Sequence, residues 1–390
     1  MLDGNRQALG ADMIRWRHEI HQKPELGFAE HETAAMVARH LKTIGLTLHE
    51  GIGGTGIVGM LKAGTSSRAI GIRADMDALA IQEQNEFDHK SQIPGQMHAC
   101  GHDGHTSILM GAAAMLAEEP CFDGTVYFIF QPAEEHGRGA LSMMEDGLFE
   151  RFPMDAIYAL HNMPSLPTGH VAVKPGPVMA SEDNFEITVL GKGGHAALPH
   201  LAKDPIPVAA EIALALQSII SRKLKPTDSA VISITDIQTD GTRNVIPNRV
   251  TLTGDTRSFD PEVQNTLERE MERTTANICS AHDVGFEFAY SREFASTIST
   301  EAEARHVFDA ATALLGPEKI RWDGEPIMAS EDFGFMLQQK PGCYFLLGNG
   351  GDGPGGCGLH SPHYDFNDDI LMTGARLWVE LVRQQLPVTA

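Results

Sequence analysis

The chain of 390 residues is long for one compact core, and at about 100 to 200 residues per domain it predicts two domains. Hydrophobic residues make up 42% of the sequence, a composition that is typical of a globular protein and excludes a disordered or fibrous one. The formal net charge of −22 argues against nucleic acid or an anionic membrane surface as a partner, because both would repel the chain.

The amino-terminal stretch MLDGNRQALGADMIRWRHEI has no apolar core of the kind that a secretion signal requires. The longest apolar run, ILMGAAAMLA from Ile108, has about half the length that a membrane-spanning helix needs. We therefore expect a cytoplasmic protein with no membrane partner. The five cysteines are odd in number and widely scattered, so we expect free thiols rather than a disulfide framework.

Helix and strand patterns alternate from about residue 30. In ETAAMVARHLKTIG, Val37, Leu41 and Ile44 recur at helical spacing, and Gly45 is a candidate C-terminal cap. Apolar runs typical of buried strands follow at GIVGML, AIGIRA, TVYFIF and AIYALH, with the helical pattern TSILMGAAAMLAEE between the second and the third. Strands separated by helices predict an α/β layer with a largely parallel sheet.

The motif GIGGTG places Gly51, Gly53 and Gly56 at the spacing of a dinucleotide-binding loop. That fingerprint needs a strand before it and a helix after it, whereas the following IVGMLKAG has the pattern of a strand. We interpret the motif as the turn of a β-hairpin rather than a cofactor site.

The order of elements changes between about residues 184 and 291. The strand NFEITVLG, the helix DPIPVAAEIALALQSIISRK, the strands AVISITDI and RVTLTGDTR, the helix PEVQNTLEREMERTTANICSAH and the strand GFEFAYS form a βαββαβ series. This series predicts a ferredoxin-like unit inserted into the first domain. We therefore expect a catalytic domain made of residues 1–183 and 295–390, and an inserted domain of residues 184–294. Helix and strand patterns resume at EARHVFDAATALLG, GCYFLLG and DILMTGARLWVELVRQQ.

Metal-competent side chains are concentrated in MHACGHDGHT, residues 97–106. Cys100 and His102 alternate just before a predicted helix, and thiolate and imidazole are the ligands that borderline-soft divalent metals prefer. The alternative is an ordinary helix start, with Asp103 or Thr106 as the cap and solvated histidines. The density of ligand types favours a metal site.

Three further candidate groups follow predicted strands or lie in a late glycine-rich loop. FIFQPAEEHGRG ends an apolar strand with Glu134 and Glu135, whose side chains we expect to point in different directions on an extended segment. The alternative is an exposed acidic loop. His161 ends the strand of YALHNMP, and His360 and His363 lie in GLHSPHYDF. For these histidines, a core or surface position is an equal alternative.

The number of candidate ligands indicates more than one metal. A single catalytic zinc normally uses three protein ligands, whereas two metals about 3.5 to 4 Å apart can share a bridging ligand and support hydrolysis. Cysteine and histidine favour zinc, and the carboxylate also allows manganese, cobalt or nickel. The five candidates are Cys100, His102, Glu135, His161 and His360.

Several long motifs occur along the chain in the order RHEIHQKPELGFAEHET, IRADMDAL, MHACGHDGHT, FQPAEE, LHNMPSLPTG, GKGGHAALPH, NVIPN, SEDFGFML and LHSPHYDFND. With these motifs the sequence resembles the hippurate hydrolase and N-acyl-L-amino-acid amidohydrolase family. This is a branch of the aminoacylase-like di-metal peptidases that includes the indole-acetyl-amino-acid hydrolases of plants. The resemblance covers essentially the whole chain, with one departure at Ala80, where the family usually has proline.

The resemblance implies a role for individual side chains in these motifs. Cys100 is the expected bridging ligand of two metals, and Glu134 the expected general base, a role that typically contributes about 10²- to 10⁴-fold to a rate. Asp75 and Asp77, in RADMDA, are expected to orient the site, with a buried turn network as the alternative.

The resemblance also assigns residues of the inserted domain. His195, in GKGGHAALPH, is expected to stabilise the oxyanion, in such families often from a partner subunit, which implies a homodimer or larger homo-oligomer built through this domain. Asn244 is an expected substrate contact. Arg257 is a weaker candidate, with a strand-end salt bridge as the favoured alternative. Because two domains then face one site, closure is expected to accompany catalysis.

Together these observations predict a metal-dependent amidohydrolase that cleaves N-acyl amino acids. Two alternatives stay open, a dipeptidase that uses the same centre and a non-catalytic protein that binds a metal or small ligand. Glu134 argues against the second alternative, because binding alone does not need a carboxylate beside the ligands.

Overall fold

The computed structural model describes residues 2–388. The described chain divides into two compact units, of which the first comprises residues up to Val178, Ile298–Glu325 and residues from Asp332 onward. The second comprises Met179–Thr297 and Pro326–Glu331. Among the described residues, no helix combines the length and the hydropathy needed to cross a membrane. All five cysteines are free thiols.

The strands of the first unit precede, and then follow, those of the second in the chain. The strands are β1 Thr47–Ile52, β2 Gly56–Ala63, β3 Ala69–Asp75, β4 Gly124–Gln131, β5 Ala156–Pro164, β6 Val171–Ala172, β7 Gly176–Met179, β8 Ser181–Leu190, β9 Gly194–His195, β10 Ala230–Thr239, β11 Val245–Ile246, β12 Arg249–Ser258, β13 Gly285–Phe294, β14 Thr297–Ser299, β15 Ile320–Arg321 and β16 Gly342–Gly350. The helices are α1 Leu2–Gln22, α2 His31–Thr43, α3 His102–Glu118, α4 Gly139–Glu145, α5 Leu148–Arg151, α6 Pro205–Arg222, α7 Pro261–Ala281, α8 Glu301–Leu315, α9 Phe333–Gln339 and α10 Leu371–Gln385.

The first unit is built on an eight-stranded sheet with the order β1-β2-β4-β3-β5-β16-β6-β15. Its centre, β4-β3-β5-β16, is parallel throughout, and every residue of β3 and β4 is buried. Ile72 of β3 lies opposite Phe128 and Tyr158 of the neighbouring strands, so the apolar runs of the sequence meet in one layer. Helices α1, α3 and α10 pack against one another in the same core. The prediction of an α/β fold with a largely parallel sheet is therefore confirmed.

The GIGGTG motif forms the turn of an antiparallel hairpin between β1 and β2. Gly51, Gly53 and Gly54 all have positive φ, the backbone region that glycine enters without a steric cost. No helix follows the glycines, as the hairpin interpretation requires.

The second unit is the predicted βαββαβ series. Its strands form an antiparallel four-stranded sheet in the order β10-β12-β8-β13, and α6 and α7 pack on it around a separate apolar core. Asp204 and Asp260 accept hydrogen bonds from the backbone N–H groups of Ile206 and Glu262, and each is followed by a proline at the first helical position. Caps of this kind contribute about 1 kcal/mol each, which explains why both helices begin at a DP sequence.

Candidate metal centre

The carboxyl ends of the central parallel strands meet at one edge of the sheet. β3 ends at Asp75, β4 leads into Glu134 and Glu135, and His161 lies near the end of β5. The loop after β16 carries His360 to the same edge, where its N–H donates to the carbonyl of Ala99 at 2.8 Å. Open α/β sheets place their ligand sites at this edge.

Cys100 and His102 are placed by the tight start of α3. Gly101, which separates them, has a φ of 95°, and a Cβ there would lie 2.3 Å from Oδ1 of Asn162. Only glycine fits this position, because both the backbone angle and the space exclude a side chain. The result is that Cys100 Sγ lies 3.4 Å from Nε2 of His161 on the neighbouring β5.

Backbone carbonyls fix the ring orientation of two histidines. Nδ1 of His161 donates to the carbonyl of Asn162 at 2.6 Å, and Nδ1 of His102 donates to that of Asp77 at 2.9 Å. A neutral ring that donates through Nδ1 has its lone pair on Nε2, the arrangement that metal-binding histidines use. Nε2 of His102 is buried and has no hydrogen-bond partner, which fits a ligand atom.

The two glutamates lie on a turn rather than on an extended segment. Ala133 has a φ of 49°, and the N–H groups of Glu134 and Glu135 donate to the two oxygens of Asp77, each at 3.0 Å. Carboxylate oxygens of both glutamates lie within 4.0 Å of Nε2 of His102. The expectation of diverging side chains is therefore wrong, because the turn brings both toward the same histidine. Glu134 is 6% exposed, which also excludes the exposed acidic loop.

His360 is the most exposed of the candidate ligands. Its side chain is 53% exposed, and its Nε2 lies 3.5 Å from Oε1 of Glu135. That oxygen is buried and accepts no hydrogen bond. His363, in contrast, is exposed and belongs to none of the ligand groups found among the described residues.

The five predicted ligands lie together in overlapping groups. The ligand atoms of Cys100, His102 and His161 lie within 4.8 Å of one another, and so do those of Cys100, Glu135 and His360. Cys100 belongs to both groups, the position that a shared ligand would occupy. One thiol, three imidazoles and a carboxylate form a donor set that suits zinc and neighbouring divalent metals.

The electrostatics of the cluster favour a bound cation. Burial, together with Glu135 and Glu134, raises the pKa of the Cys100 thiol, whereas burial and His105 lower the pKa of His161. Burial opposes protonation of His102, but Asp75 and Asp77 outweigh it and raise the pKa of that ring to about 10, so a metal ion would displace the proton of Nε2 and leave the neutral ring as ligand. The pocket thus holds negative charge in excess, and a divalent ion would both balance it and allow the thiol to ionise.

Comparison with known proteins places the chain in a family. The model of the peptidase family M20/M25/M40 matches residues 71–384. The chain belongs to this family. It is 40% identical to a hippurate hydrolase of Campylobacter jejuni, with 97% of each chain covered. It is 37% identical to an IAA-amino acid hydrolase of Arabidopsis thaliana, over 96% of this chain and 86% of the relative. A dinuclear metal-binding M20 peptidase of Bacillus subtilis superposes with a TM-score of 0.86 at 32% identity, over 98% of this chain and 100% of the other.

The resemblance inferred from the motifs is thereby confirmed. This M20-family chain also contains a buried polar chain behind the ligands that the sequence analysis misses. Nδ1 of His105 lies 2.6 Å from Asp75, and its Nε2 lies 2.8 Å from Oδ1 of Asn162, whose amide donates to the hydroxyl of Tyr364 at 2.6 Å. His105 lies three residues after His102 on α3, a spacing that puts both rings on one helix face. This spacing is the sequence signal from which His105 could have been identified.

A second buried network surrounds Arg73. Its guanidinium donates to Asp75 at 2.7 Å, to Gln131 at 2.9 Å and to Asp332 at 3.2 Å. Asp75 therefore belongs to a buried hydrogen-bond network, which was the alternative to a role at the metal site. The same carboxylate also contacts His105, so the network reaches the ligand cluster. The carboxylate of Asp77 accepts the N–H groups of both glutamates, and its backbone carbonyl accepts the Nδ1–H of His102. No sequence signal links Asp332 to Arg73, since the two are far apart in the chain.

His195 and Asn244 lie at a small two-stranded sheet of the second unit, where His195 ends β9 and Asn244 directly precedes β11. His195 lies opposite Val245, and the N–H of Ala196 donates to the carbonyl of Asn244 at 3.1 Å. His195 and Asn244 are both exposed.

Arg257, by contrast, is fully engaged within the second unit. It bonds Asp255 at 2.8 Å, Glu182 at 2.9 Å and the carbonyl of Met328 at 2.9 Å. Its salt-bridge interpretation is the one that the structure supports.

Proposed function

We infer that this M20-family protein is a metal-dependent amidohydrolase that cleaves the amide bond of N-acyl amino acids and releases a carboxylate and a free amino acid. The observation that carries the inference is the buried ligand cluster with Glu134 beside it. Nε2 of His102 and Oε1 of Glu135 have no hydrogen-bond partner, and Glu134 lies 3.9 Å from that same histidine nitrogen.

The ligand set supports two divalent ions per chain, zinc, manganese, cobalt or nickel. Cys100 is the bridging ligand in this proposal, and the ligands that complete the two sites are His102, Glu135, His161 and His360. When bound, such a pair activates water and polarises the scissile carbonyl.

Glu134 is the general base of the proposed reaction. Its carboxylate takes a proton from the attacking water, so that the oxygen bonds to the amide carbon. The same group then donates that proton to the amine nitrogen as the C–N bond breaks. Because Asp77 holds the Glu134 backbone, the carboxylate is aimed at the cluster before substrate arrives.

The second unit supplies the remaining proposed contacts. His195 stabilises the negative oxygen of the tetrahedral intermediate, and Asn244 binds the substrate. Their exposure supports these roles, and because Nδ1 of His195 accepts the N–H of Ala197 at 3.1 Å, the neutral ring carries its proton on Nε2, where it can donate to an oxyanion.

A homodimer or larger homo-oligomer through the second unit is also proposed. Strand β10 is an edge of the four-stranded sheet, and it exposes Val231 and Ile237, while Leu214 on the adjacent α6 is 78% exposed. Unpaired backbone groups next to apolar side chains suit pairing with a second copy.

The second candidate is a dipeptidase that uses the same centre. The family is described as a peptidase family, and the Bacillus subtilis structure is of a peptidase, so peptide substrates belong in the test. A non-catalytic binding protein would not need Glu134 buried beside the ligands.

The deciding experiment measures amine release from N-acetyl and N-benzoyl amino acids and from dipeptides, with zinc, manganese or cobalt supplied in turn. Turnover confined to the acylated amino acids is the expected result. Turnover of dipeptides alone would establish the peptidase, and no turnover with two ions bound per chain would contradict hydrolysis of these amides.

A further inference from the structure

Phe28 and Ala133 are not glycines, yet both hold a left-handed backbone near the candidate base. Phe28 has a φ of 63° and Ala133 a φ of 49°, and Ala133 directly precedes Glu134. Residues with a Cβ avoid this region, and they remain there only where the surroundings hold them.

One buried carboxylate holds both residues. The N–H of Ala133 donates to Oε1 of Glu30 at 2.8 Å, and the N–H of Phe28 donates to the same oxygen at 3.0 Å. The hydroxyl of Thr55, in the β1–β2 turn, donates to Oε2 at 2.5 Å. Glu30 is fully buried, so these bonds are protected from water.

The position of Glu30 in the chain predicts a different task. It precedes the first residue of α2, the position from which a polar side chain can cap the helix, yet its side chain makes no cap bond. Glu25 takes that task, because its two oxygens accept the N–H groups of Glu32 and Thr33, each at 2.9 Å. The carboxylate of Glu30 is thereby committed to the turn that carries the base.

We propose that Glu30 is a positioning residue that sets the aim of Glu134. Asp77 fixes the backbone N–H of Glu134, and Glu30 fixes that of the residue before it, so the two carboxylates together determine the direction in which the base leaves the turn. Without Glu30, Ala133 relaxes to a negative φ and Glu134 rotates away from the reacting water. This inference rests on the role of Glu134 in the proposed function.

The test compares Glu30→Ala and Glu30→Gln with Glu25→Gln. Glu30→Gln keeps an oxygen that accepts the two N–H groups, whereas Glu30→Ala removes it. Glu25→Gln is the matched control, since it alters a carboxylate of the same segment that also accepts two backbone bonds but does not contact the turn. Thr55→Val removes a single bond to Glu30 and provides a milder variant if Glu30→Ala does not fold.

The assay measures kcat and KM on an N-acyl amino acid, per folded and metal-loaded protein, with metal content and melting temperature recorded for every variant. We expect kcat to fall by about 10²-fold in Glu30→Ala, since small misplacements of a reacting group have effects of this size. We expect a smaller loss in Glu30→Gln and Thr55→Val, with KM unchanged in all three. Glu25→Gln is expected to lower the melting temperature without changing kcat.

An unchanged kcat in Glu30→Ala would overturn the proposal. If that variant does not fold, an unchanged kcat in both Glu30→Gln and Thr55→Val would overturn it instead. An equal loss in Glu25→Gln would also overturn it, because the effect would then be a general loss of stability. Glu134→Gln, measured alongside, separates this failure from that of the proposed function. If Glu134→Gln stays active, the assignment of the base is wrong, whereas an inactive Glu134→Gln with normal Glu30 variants refutes the positioning role alone.

Discussion

Replacing Asp77 by asparagine removes the acceptor that organises the candidate site. Its two oxygens accept the N–H groups of Glu134 and Glu135, each at 3.0 Å, and Oδ1 lies 3.3 Å from Nδ1 of His102. Asparagine keeps the shape of the side chain but offers one oxygen. One of the two glutamate N–H groups therefore loses its acceptor and faces an amide donor instead.

The size of the effect follows from these bonds. A buried hydrogen bond to a charged group contributes about 1.5–3 kcal/mol, and an unpaired buried N–H costs about 1–3 kcal/mol. We expect the free energy of unfolding of metal-free Asp77→Asn to fall by about 2–4 kcal/mol. The affinity for the first metal is expected to fall by about 10- to 100-fold, as for other residues that orient ligands.

Competition with a chromophoric chelator measures the affinity, and denaturant unfolding measures the stability. Asp155→Asn is the control, because Asp155 accepts one N–H of β3, that of Ala69, at the other end of the strand. It is expected to change stability by no more than about 0.5 kcal/mol, as exposed positions usually do, and to leave metal affinity unchanged. Wild-type metal affinity in Asp77→Asn would refute the orienting role of this carboxylate.

The other predictions concern the base and the second unit. Glu134→Gln is expected to lower kcat by about 10²- to 10⁴-fold with unchanged metal content by mass spectrometry, and near-normal turnover would exclude Glu134 as the base. Burial raises the pKa of Asp183 to about 6, so the folded state binds more protons than the unfolded state, and stability falls as pH rises from about 4 to about 6. Denaturant unfolding across this range is expected to show a weaker fall in Asp183→Asn, and an identical pH dependence would contradict this. Asp204→Ala removes a helix cap and is expected to lower the free energy of unfolding by about 1 kcal/mol. An unchanged free energy of unfolding would show that the cap bond to Ile206 does not contribute.

The parts of the fold that follow from local patterns are predictable from the sequence. The second unit is an example, since its strands alternate and both helices begin at an aspartate followed by proline. Helix α1 is not predicted, for a physical reason. Arg17 and His21 occupy its buried face and pair with Asp103 at 3.3 and 2.8 Å, so charged residues stand where the helical pattern requires apolar ones.

The candidate site also has a part that can be predicted from the sequence and a part that cannot. The sequence predicts the proximity of Cys100, His102, Glu135, His161 and His360 from residue type and from their positions at a helix start, at strand ends and in the late glycine-rich loop, whereas their role as ligands stays a prediction. Side chains that act through distant contacts are not found, and Asn162 and Asp332 are examples. The direction of Glu134 depends on the backbone angle of Ala133, and no residue type in FQPAEE predicts that angle.

The proposed ligands come from distant parts of the chain, from the start of α3 to the loop before α10. An ion held by Cys100 and by His360 would therefore act as a reversible crosslink between the start of α3 and the loop before α10. Ligands that bind only the folded state add stability by mass action, about 4.1 kcal/mol at a thousandfold excess over Kd. Withdrawal of metal is then expected to increase amide hydrogen exchange first in the loop of His360, where the backbone bonds of His360 to Ala99 and of Gln84 to Pro362 remain as tethers. Resistance to proteolysis would in this way report the metal supply of the protein.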